Sequence, residues 1–366
     1  MTATLMEGSE AIAEAMIAAG CRFFTGYPMT PFTEILEHMA RRLGEVGGSC
    51  VNAESELEAI GMAWGAAVTG TRSATGSTGQ GLSLMQESIA EAAIARIPLV
   101  ILNLARAQGD YFQATRGGGH GDYRTPVLAP ADVAEAVELV GRAFDLADEW
   151  RTPVVVFGDY YTAHTYASVS VTPTDLGSLP AKDWALDGTT SGTGNARLVS
   201  PLGDSKRRDR PGYDLNDFYV RMAAKTAEMV AGVERLAEVV HCDDAEVVVV
   251  AFGTAGKYVR AAVEQLRANG RPVGLVRPIT LFPFPDEILR SATAAARTVA
   301  VYENNQGQMV DDVRLALEGA VPVRFIGGLS LDSSGFGIAP DYDVDVLCGR
   351  IEALFDGPRS DGKAER

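Results

Sequence analysis

The sequence predicts two doubly wound, parallel-sheet α/β domains in tandem, and three observations carry that prediction. Strand patterns alternate with helical ones through about residue 170. Leu99-Val100-Ile101-Leu102, Val154-Val155-Val156-Phe157 and Val247-Val248-Val249-Val250 are apolar at every position, as parallel strands covered on both faces are. Residues 171 to about 214, rich in Thr, Ser, Gly, Asp and Pro and without periodicity, read as a long connection between the two blocks. A length of 366 residues suits two domains.

Taken in order, Ser9 is placed to cap a first helix. Its apolar Ile12, Ala13, Met16 and Ile17 repeat at helical spacing, and Gly20 stops it. A strand at Arg22 to Thr25 follows. Thr30 as N-cap and Pro31 at the first helical position open a second helix, with Ile35, Leu36, Met39, Ala40 and Leu43 as its buried stripe. Cys50-Val51-Asn52 is a strand, and Leu57, Ile60, Gly61, Trp64 and Val68 trace a third helix that Gly70 ends. Arg72 to Thr75 is a strand, and Gly76 to Gly81 a loop before another helix. Asp132 to Asp148 is helical ahead of the strand at Val154.

The first domain therefore spans residues 1–170, and residues 171–243 hold the polar connection and a long helix. That helix runs from about Asp217 to Val240 through Phe218, Met222, Met229, Val233 and Leu236. The second domain spans 244–356, with a strand from Glu246, a helix from Gly256 to Asn269, and strands at Val273 to Val276 and Thr298 to Tyr302. Residues 357–366 are polar and read as a disordered tail.

A net charge of -16 argues against a nucleic-acid partner, because phosphate backbones are held by clustered Lys and Arg. The one basic run, Lys206-Arg207-Arg208-Asp209-Arg210, lies in a polar stretch and reads as a solvated loop. No apolar stretch approaches the roughly 20 residues of a membrane helix, and the N-terminus lacks a signal-peptide pattern. The expectation is a cytoplasmic protein. Cys21, Cys50, Cys242 and Cys348 are widely separated with no C-x-x-C, so no metal site or iron–sulfur cluster is expected in this chain. If the chemistry is redox, its electrons leave through another chain.

Gly26-Tyr27-Pro28-Met29-Thr30-Pro31 joins a strand's carboxyl end to a helix, where ligands bind in open α/β sheets. A structural turn with a capping threonine accounts for it equally well. Glu56 stands beside Glu54 at the next strand–helix junction, among Ala53, Ile60 and Ala63. Burial there would raise its pKa and let it exchange protons near neutrality, whereas the bland reading has both glutamates loading a helix N-terminus. Arg106 follows the strand at Leu99 to Leu104 and suits a bidentate grip on a carboxylate or phosphate, or a surface ion pair. Gly117-Gly118-Gly119-His120-Gly121 permits close backbone approach, with His120 either a site residue or part of a subunit boundary. His38 and His164 have no evident partners. There is no G-x-G-x-x-G, Walker loop or G-x-S-x-G elbow, and Gly158-Asp159-Tyr160 is not followed by the asparagine spacing that holds Mg2+ on thiamine diphosphate.

At four stretches the chain resembles the alpha subunit of the 2-oxoacid:ferredoxin oxidoreductases, a thiamine-diphosphate family. These are Gly26 to Pro31, Ala53-Glu54-Ser55-Glu56, Gln108-Gly109-Asp110-Tyr111 with Gly117 to Gly121, and Arg277-Pro278-Ile279-Thr280-Leu281-Phe282-Pro283-Phe284-Pro285. The last two look most like the branched-chain, 2-oxoisovalerate-type subgroup. The resemblance implies a pyrimidine-side thiamine-diphosphate fold followed by a transketolase C-terminal-like domain that serves assembly. It implies that Glu56 hydrogen-bonds the cofactor's aminopyrimidine ring, that Pro28, Met29 and Thr30 lie along the cofactor, and that Thr30 contacts the substrate near its reacting carbonyl. Arg106 matches the arginine that binds the substrate carboxylate. The implied reaction is oxidative decarboxylation of a 2-oxoacid to an acyl-CoA, with CoA as co-substrate. A beta subunit would hold the diphosphate and Mg2+, with a gamma-type subunit and a ferredoxin-like subunit carrying iron–sulfur (4Fe-4S) clusters as further partners.

Two features depart from the family pattern. Gln80 replaces the proline of its Ser-Gly-Pro-Gly turn, in Ser77-Thr78-Gly79-Gln80-Gly81. Ala107 leads directly into Gln108, omitting a loop that lies over the substrate in relatives, so a bulkier branched or aromatic substrate is expected. Two other readings compete: a non-oxidative thiamine-dependent decarboxylase or ketol transferase, and a scaffold subunit without chemistry. Joint retention of Thr30, Glu56 and Arg106 argues against the scaffold.

Overall fold

The computed structural model describes residues 3–186, 215–331 and 339–356. The basic run at Lys206 and the tail from Gly357 lie outside them. Strand β1 (Thr4–Glu7) passes straight into helix α1 (Gly8–Ala18). A Cβ on Gly8 would lie 1.8 Å from the Thr162 carbonyl oxygen, so the helix starts at a glycine packed on its neighbour. Ser9 is buried inside the first turn and does not cap it. After β2 (Phe23–Gly26), the Phe32 amide closes a turn onto the Met29 carbonyl at 2.7 Å. That turn buries Phe32 and delays α2 (Thr33–Arg42), so Thr30 and Pro31 precede the helix they were expected to open.

The first unit continues through β3 (Ser49–Asn52), α3 (Glu56–Val68), β4 (Ser73–Ser77), α4 (Gly79–Ile94) and β5 (Leu99–Ala105). Then come α5 (Tyr111–Arg116), β6 (Val127–Leu128), α6 (Val133–Trp150), β7 (Pro153–Asp159), α7 (Tyr160–His164) and β8 (Tyr166–Val169). Asp132 caps α6 through a bond from the Glu135 amide, and Asp159 caps α7 in a capping box with Thr162. His38 and His164 do have partners: they bond Glu14 at 2.8 Å and Glu7 at 3.0 Å, tying neighbouring elements.

Helix α8 (Leu215–Gly232) ends eight residues short of the expected Val240. The β-branched Val239 and Val240 instead belong to β9 (Ala237–Val240), which finds a strand partner far along the chain. The second unit is β10 (Val247–Val250), α9 (Gly253–Ala268), β11 (Val273–Pro278), β12 (Thr280–Phe282), α10 (Asp286–Ala292), β13 (Thr298–Val301), α11 (Met309–Leu317), β14 (Val323–Phe325) and α12 (Val344–Glu352).

The strands form a seven-stranded sheet, β12-β6-β7-β5-β4-β2-β3, a five-stranded sheet, β14-β13-β10-β11-β9, and the pair β1-β8. Pairing is parallel except for β12 on β6, β9 on β11, and β1 on β8. The doubly wound α/β prediction holds, with antiparallel strands added at the edges. Strand β12 comes from the second block of sequence yet pairs in the first sheet, Thr280 opposite Leu128.

One apolar core runs through both units, from Ile60 and Leu82 through Phe157 and Phe252 to Val299 and Val313. The Phe252 ring sits 5.4 Å from Tyr111 and 5.6 Å from Phe157. Arg277, almost fully buried, reaches both carboxylate oxygens of Glu135 at 2.9 and 3.0 Å and Glu238 at 2.7 Å. All four thiols are free; burial pushes Cys21 up to about 12, and Cys50 and Cys242 to about 11, so they stay protonated at neutral pH. No described helix is long and apolar enough to cross a membrane.

Candidate active site

Parallel pairing aligns Gly26 with Gly76 and Gly76 with Leu102, so the turns after β2, β4 and β5 emerge together at one edge of the sheet. Glu56 is the first residue of α3 and is 3% exposed. Ser77, the last residue of β4, donates from Oγ to Glu56 Oε1 at 3.0 Å. A Cβ on Gly81 would fall 2.1 Å from Ser77 Oγ and 2.5 Å from Glu56 Oε1. Glycine there is what lets α4 close on the carboxylate. No described residue donates a hydrogen bond to Glu56 Oε2. The result is a buried carboxylate with one oxygen held and one left for a ligand. Its neighbour Glu54 is exposed and precedes the N-cap Ser55, its backbone N–H bonding the Glu58 carboxylate, while Glu56 and Glu58 are the acidic residues in the first turn of α3.

Arg106 follows β5 directly, and its Nε and Nη2 donate to the Thr30 carbonyl oxygen at 3.2 and 3.1 Å. The structure thus brings Thr30 and Arg106 together across the sheet edge. Glu56 touches neither. It connects to their turn through Ser77, whose Oγ lies 3.9 Å from Met29 Sδ. Pro28 is exposed at the tip of that turn, beside Tyr27.

A cavity of about 340 Å³ opens next to Arg106, lined also by Thr78, Gly79, Ser83 and Asp110. Burial raises the Asp110 carboxyl above its usual range, against the opposing pull of Asn103 Nδ2, which donates at 3.1 Å, and of Arg106. Thr78 Oγ1 and Asn103 Oδ1 are buried without a partner among the described residues. Sequence reasoning missed Ser77, Asn103 and Asp110 as site residues. Ser77 and Gly81, four apart and both small, were a readable signal that something large packs there; Asp110 carried none beyond its motif.

Gln108, 3% exposed, fixes the loop that carries Arg106 and Asp110. Its amide nitrogens donate to the Asn304 carbonyl at 3.1 Å and the Phe252 carbonyl at 3.0 Å. Its side-chain and backbone oxygens accept from the Asn304 amide and Asn305 Nδ2, both at 2.8 Å. His120 lies elsewhere: half exposed on the outer face of α4, with Nδ1 2.7 Å from Glu87.

Residues 14–191 match the family model for pyruvate flavodoxin/ferredoxin oxidoreductase, thiamine-diphosphate-binding, and 245–333 match core domain II of pyruvate:ferredoxin oxidoreductase. The chain is 39% identical over 327 residues to the ketoisovalerate oxidoreductase subunit VorB of Methanothermobacter thermautotrophicus, covering 86% of this chain and 90% of that one. It is 33% identical over 353 residues to the 2-oxoglutarate synthase subunit KorA of the same organism, covering 88% and 93%. Among solved structures, a 2-oxoglutarate:ferredoxin oxidoreductase from Magnetococcus marinus superposes with TM-score 0.80 at 24% identity, over 96% of this chain and 65% of that one. A split-gene transketolase superposes at TM-score 0.58 and 15% identity, over 96% and 98%. These two likenesses concern the fold.

Proposed function

The chain belongs to the 2-oxoacid:ferredoxin oxidoreductase family, and on that premise we propose that it supplies the pyrimidine and substrate side of a thiamine-diphosphate site shared with a partner subunit. The reaction is oxidation of a 2-oxoacid by CoA-dependent decarboxylation, giving acyl-CoA and carbon dioxide and delivering two electrons to ferredoxin or a related acceptor. The observation that carries this reading is Glu56, buried with one oxygen on Ser77 and the other unengaged.

The residues fit the cofactor. An aminopyrimidine ring offers a nitrogen that a buried carboxylate can hydrogen-bond, and Gly81 leaves the carboxylate uncrowded. Thiamine diphosphate, when bound, supplies the carbanion-stabilising electron sink that lets carbon dioxide leave. Glu56 then holds a proton at the ring nitrogen, and Ser77 fixes which carboxylate oxygen is free to do so. Thr30 offers its hydroxyl to the reacting carbonyl. Arg106, with donors beyond the two spent on the Thr30 carbonyl, takes the substrate carboxylate.

The curated relatives are subunits of larger oxidoreductases, so this chain works in an assembly. In our reading a beta-type subunit holds the diphosphate and Mg2+, a gamma-type subunit completes the complex, and a ferredoxin-like subunit carries the iron–sulfur clusters. The buried, protonated thiols of this chain support electron exit through another one. The branched-chain relative and the short path from Arg106 to Gln108 support a branched or aromatic 2-oxoacid.

Glu56→Gln in the assembled complex tests the catalytic reading: turnover should fall by about 10²–10⁴-fold, as loss of a proton-transfer group does, with the complex intact. Near-normal turnover would favour a scaffold. A panel of 2-oxoisovalerate, phenylglyoxylate and pyruvate, compared by kcat/KM, tests the substrate. Pyruvate as the best of the three would sink the bulky-substrate assignment without touching the rest.

A further inference from the structure

A second cavity lies at the opposite end of the same strands. Arg96 precedes β5 as Arg106 follows it, and Arg151 precedes β7. Seven residues of strand separate the two ends, on the order of 20 Å. The cavity, of about 110 Å³ and partly open to solvent, is lined by the cations Arg96, Arg124, Arg151, Arg221 and Lys225, and no carboxylate is among its described lining residues. That is an unusual concentration of positive charge in a chain of net charge -16.

Two of the cations bond backbone carbonyls, with Asp183 and Glu228 acting on the group from a distance. Lys225 Nζ donates to the Arg151 carbonyl at 3.3 Å, and Arg151 Nε to the Arg96 carbonyl at 3.2 Å. Trp184 supports the Arg151 guanidinium 4.5 Å from its ring. Arg96 and Arg151 both adopt left-handed backbone, φ 59° and 47°, just past the ends of α4 and α6. Glycine is favoured in that position, and an arginine there is strained. Burial, with Arg96 and Arg151 nearby, brings the Lys225 ammonium down to about 7, Glu228 pulling the other way. An anion in the cavity would relieve all three strains of charge at once. The remaining wall is apolar and aromatic: Tyr123, Phe218, Met222 and Met229.

We propose that this cavity binds the phosphoryl groups of an organic phosphate on Arg96, Arg151 and Lys225, the flat or apolar body of the ligand resting at its open mouth against Tyr123, Phe218 and Met222. The site is independent of the thiamine reading and stands whichever reaction the complex performs.

Calorimetric titration of the complex saturated with thiamine diphosphate, using ADP, pyrophosphate and adenosine, tests it. ADP binds saturably and more tightly than pyrophosphate, and adenosine does not bind. Lys225→Gln and Arg151→Gln each weaken ADP by about tenfold, the loss of one charge-assisted contact, while Arg290→Gln, outside this cavity, leaves it unchanged. Lys225→Gln removes a half-buried charge and keeps the unliganded melting temperature and turnover, so a loss of ADP binding there is not a folding defect. The proposal is overturned if ADP gives no saturable heat at millimolar concentration, if pyrophosphate binds more tightly than ADP, or if both variants bind ADP as the parent does.

Discussion

Glu56 owes its setting to two small neighbours. Ser77 holds one of its oxygens, and Gly81 leaves the space that brings α4 against it. Gly81→Ala would force a methyl group within 2.5 Å of the carboxylate and 2.1 Å of the serine hydroxyl. Overpacking of this kind costs about 1–3 kcal/mol, so the chain should still fold. Turnover of the assembled complex should fall more than about tenfold, because a shift near 1 Å at a catalytic group is enough for that. Kinetics beside a melting curve would check it, and unchanged turnover with a lowered melting temperature would mean that Glu56 does not need this position. That Thr30, Glu56 and Arg106 lie just beyond strand carboxyl ends was legible from the sequence, and their proposed roles rest on that placement. Ser77 and Asp110 were not legible, since their roles come from packing across the sheet edge and not from a local pattern.

At the scale of elements, the loop after β5 matters most. It carries Arg106 and Asp110, and its anchor, Gln108, bonds Phe252, Asn304 and Asn305 of the second unit. Gln108→Ala would leave the buried Asn304 amide without its partner, at about 1–3 kcal/mol, and would remove one of the two bonds to the Phe252 carbonyl, which keeps the Gly256 amide. The loop would then be free to shift, and Arg106 with it. The expected result is a rise of about tenfold in the KM for the 2-oxoacid, with a smaller change in kcat, because positioning of the carboxylate grip is what is lost. An unaltered KM in a well-folded variant would disconnect the second unit from substrate binding. Long elements such as α6, β5 and β10 were legible from periodicity and continuous apolar runs. Strands β9 and β12, four and three residues long, were not, because only a distant partner makes them strands. The over-long helix reading to Val240 has the same origin: helical spacing persists in the sequence after Gly232 has ended the helix.

Across the whole molecule, two blocks of sequence share one core and one sheet edge. Their division is legible from the polar connection, whereas their fusion is visible only in the structure, through β12 on β6 and the apolar cluster around Phe252. This bears on how the chain unfolds. Arg277 is the main ionic tie, bonding Glu135 of the first unit and Glu238 beside it, all in a largely water-excluded setting. Arg277→Met would leave Glu135 without its ionic partner, whereas Glu238 keeps Arg260, a loss of about 3 kcal/mol for a pair broken on one side. If the units were separate domains joined by that tie, the variant would uncouple them and urea unfolding would show two transitions. With β12 and the common core intact, it should instead keep a single transition at lower urea concentration, its slope unchanged because the surface exposed on unfolding is the same. Circular dichroism and tryptophan fluorescence would follow it together, since Trp64, Trp150 and Trp184 report only on the first unit and its flank while the helical signal reports on both. Non-coincident curves from the two probes would show that the shared strand and core do not couple the units.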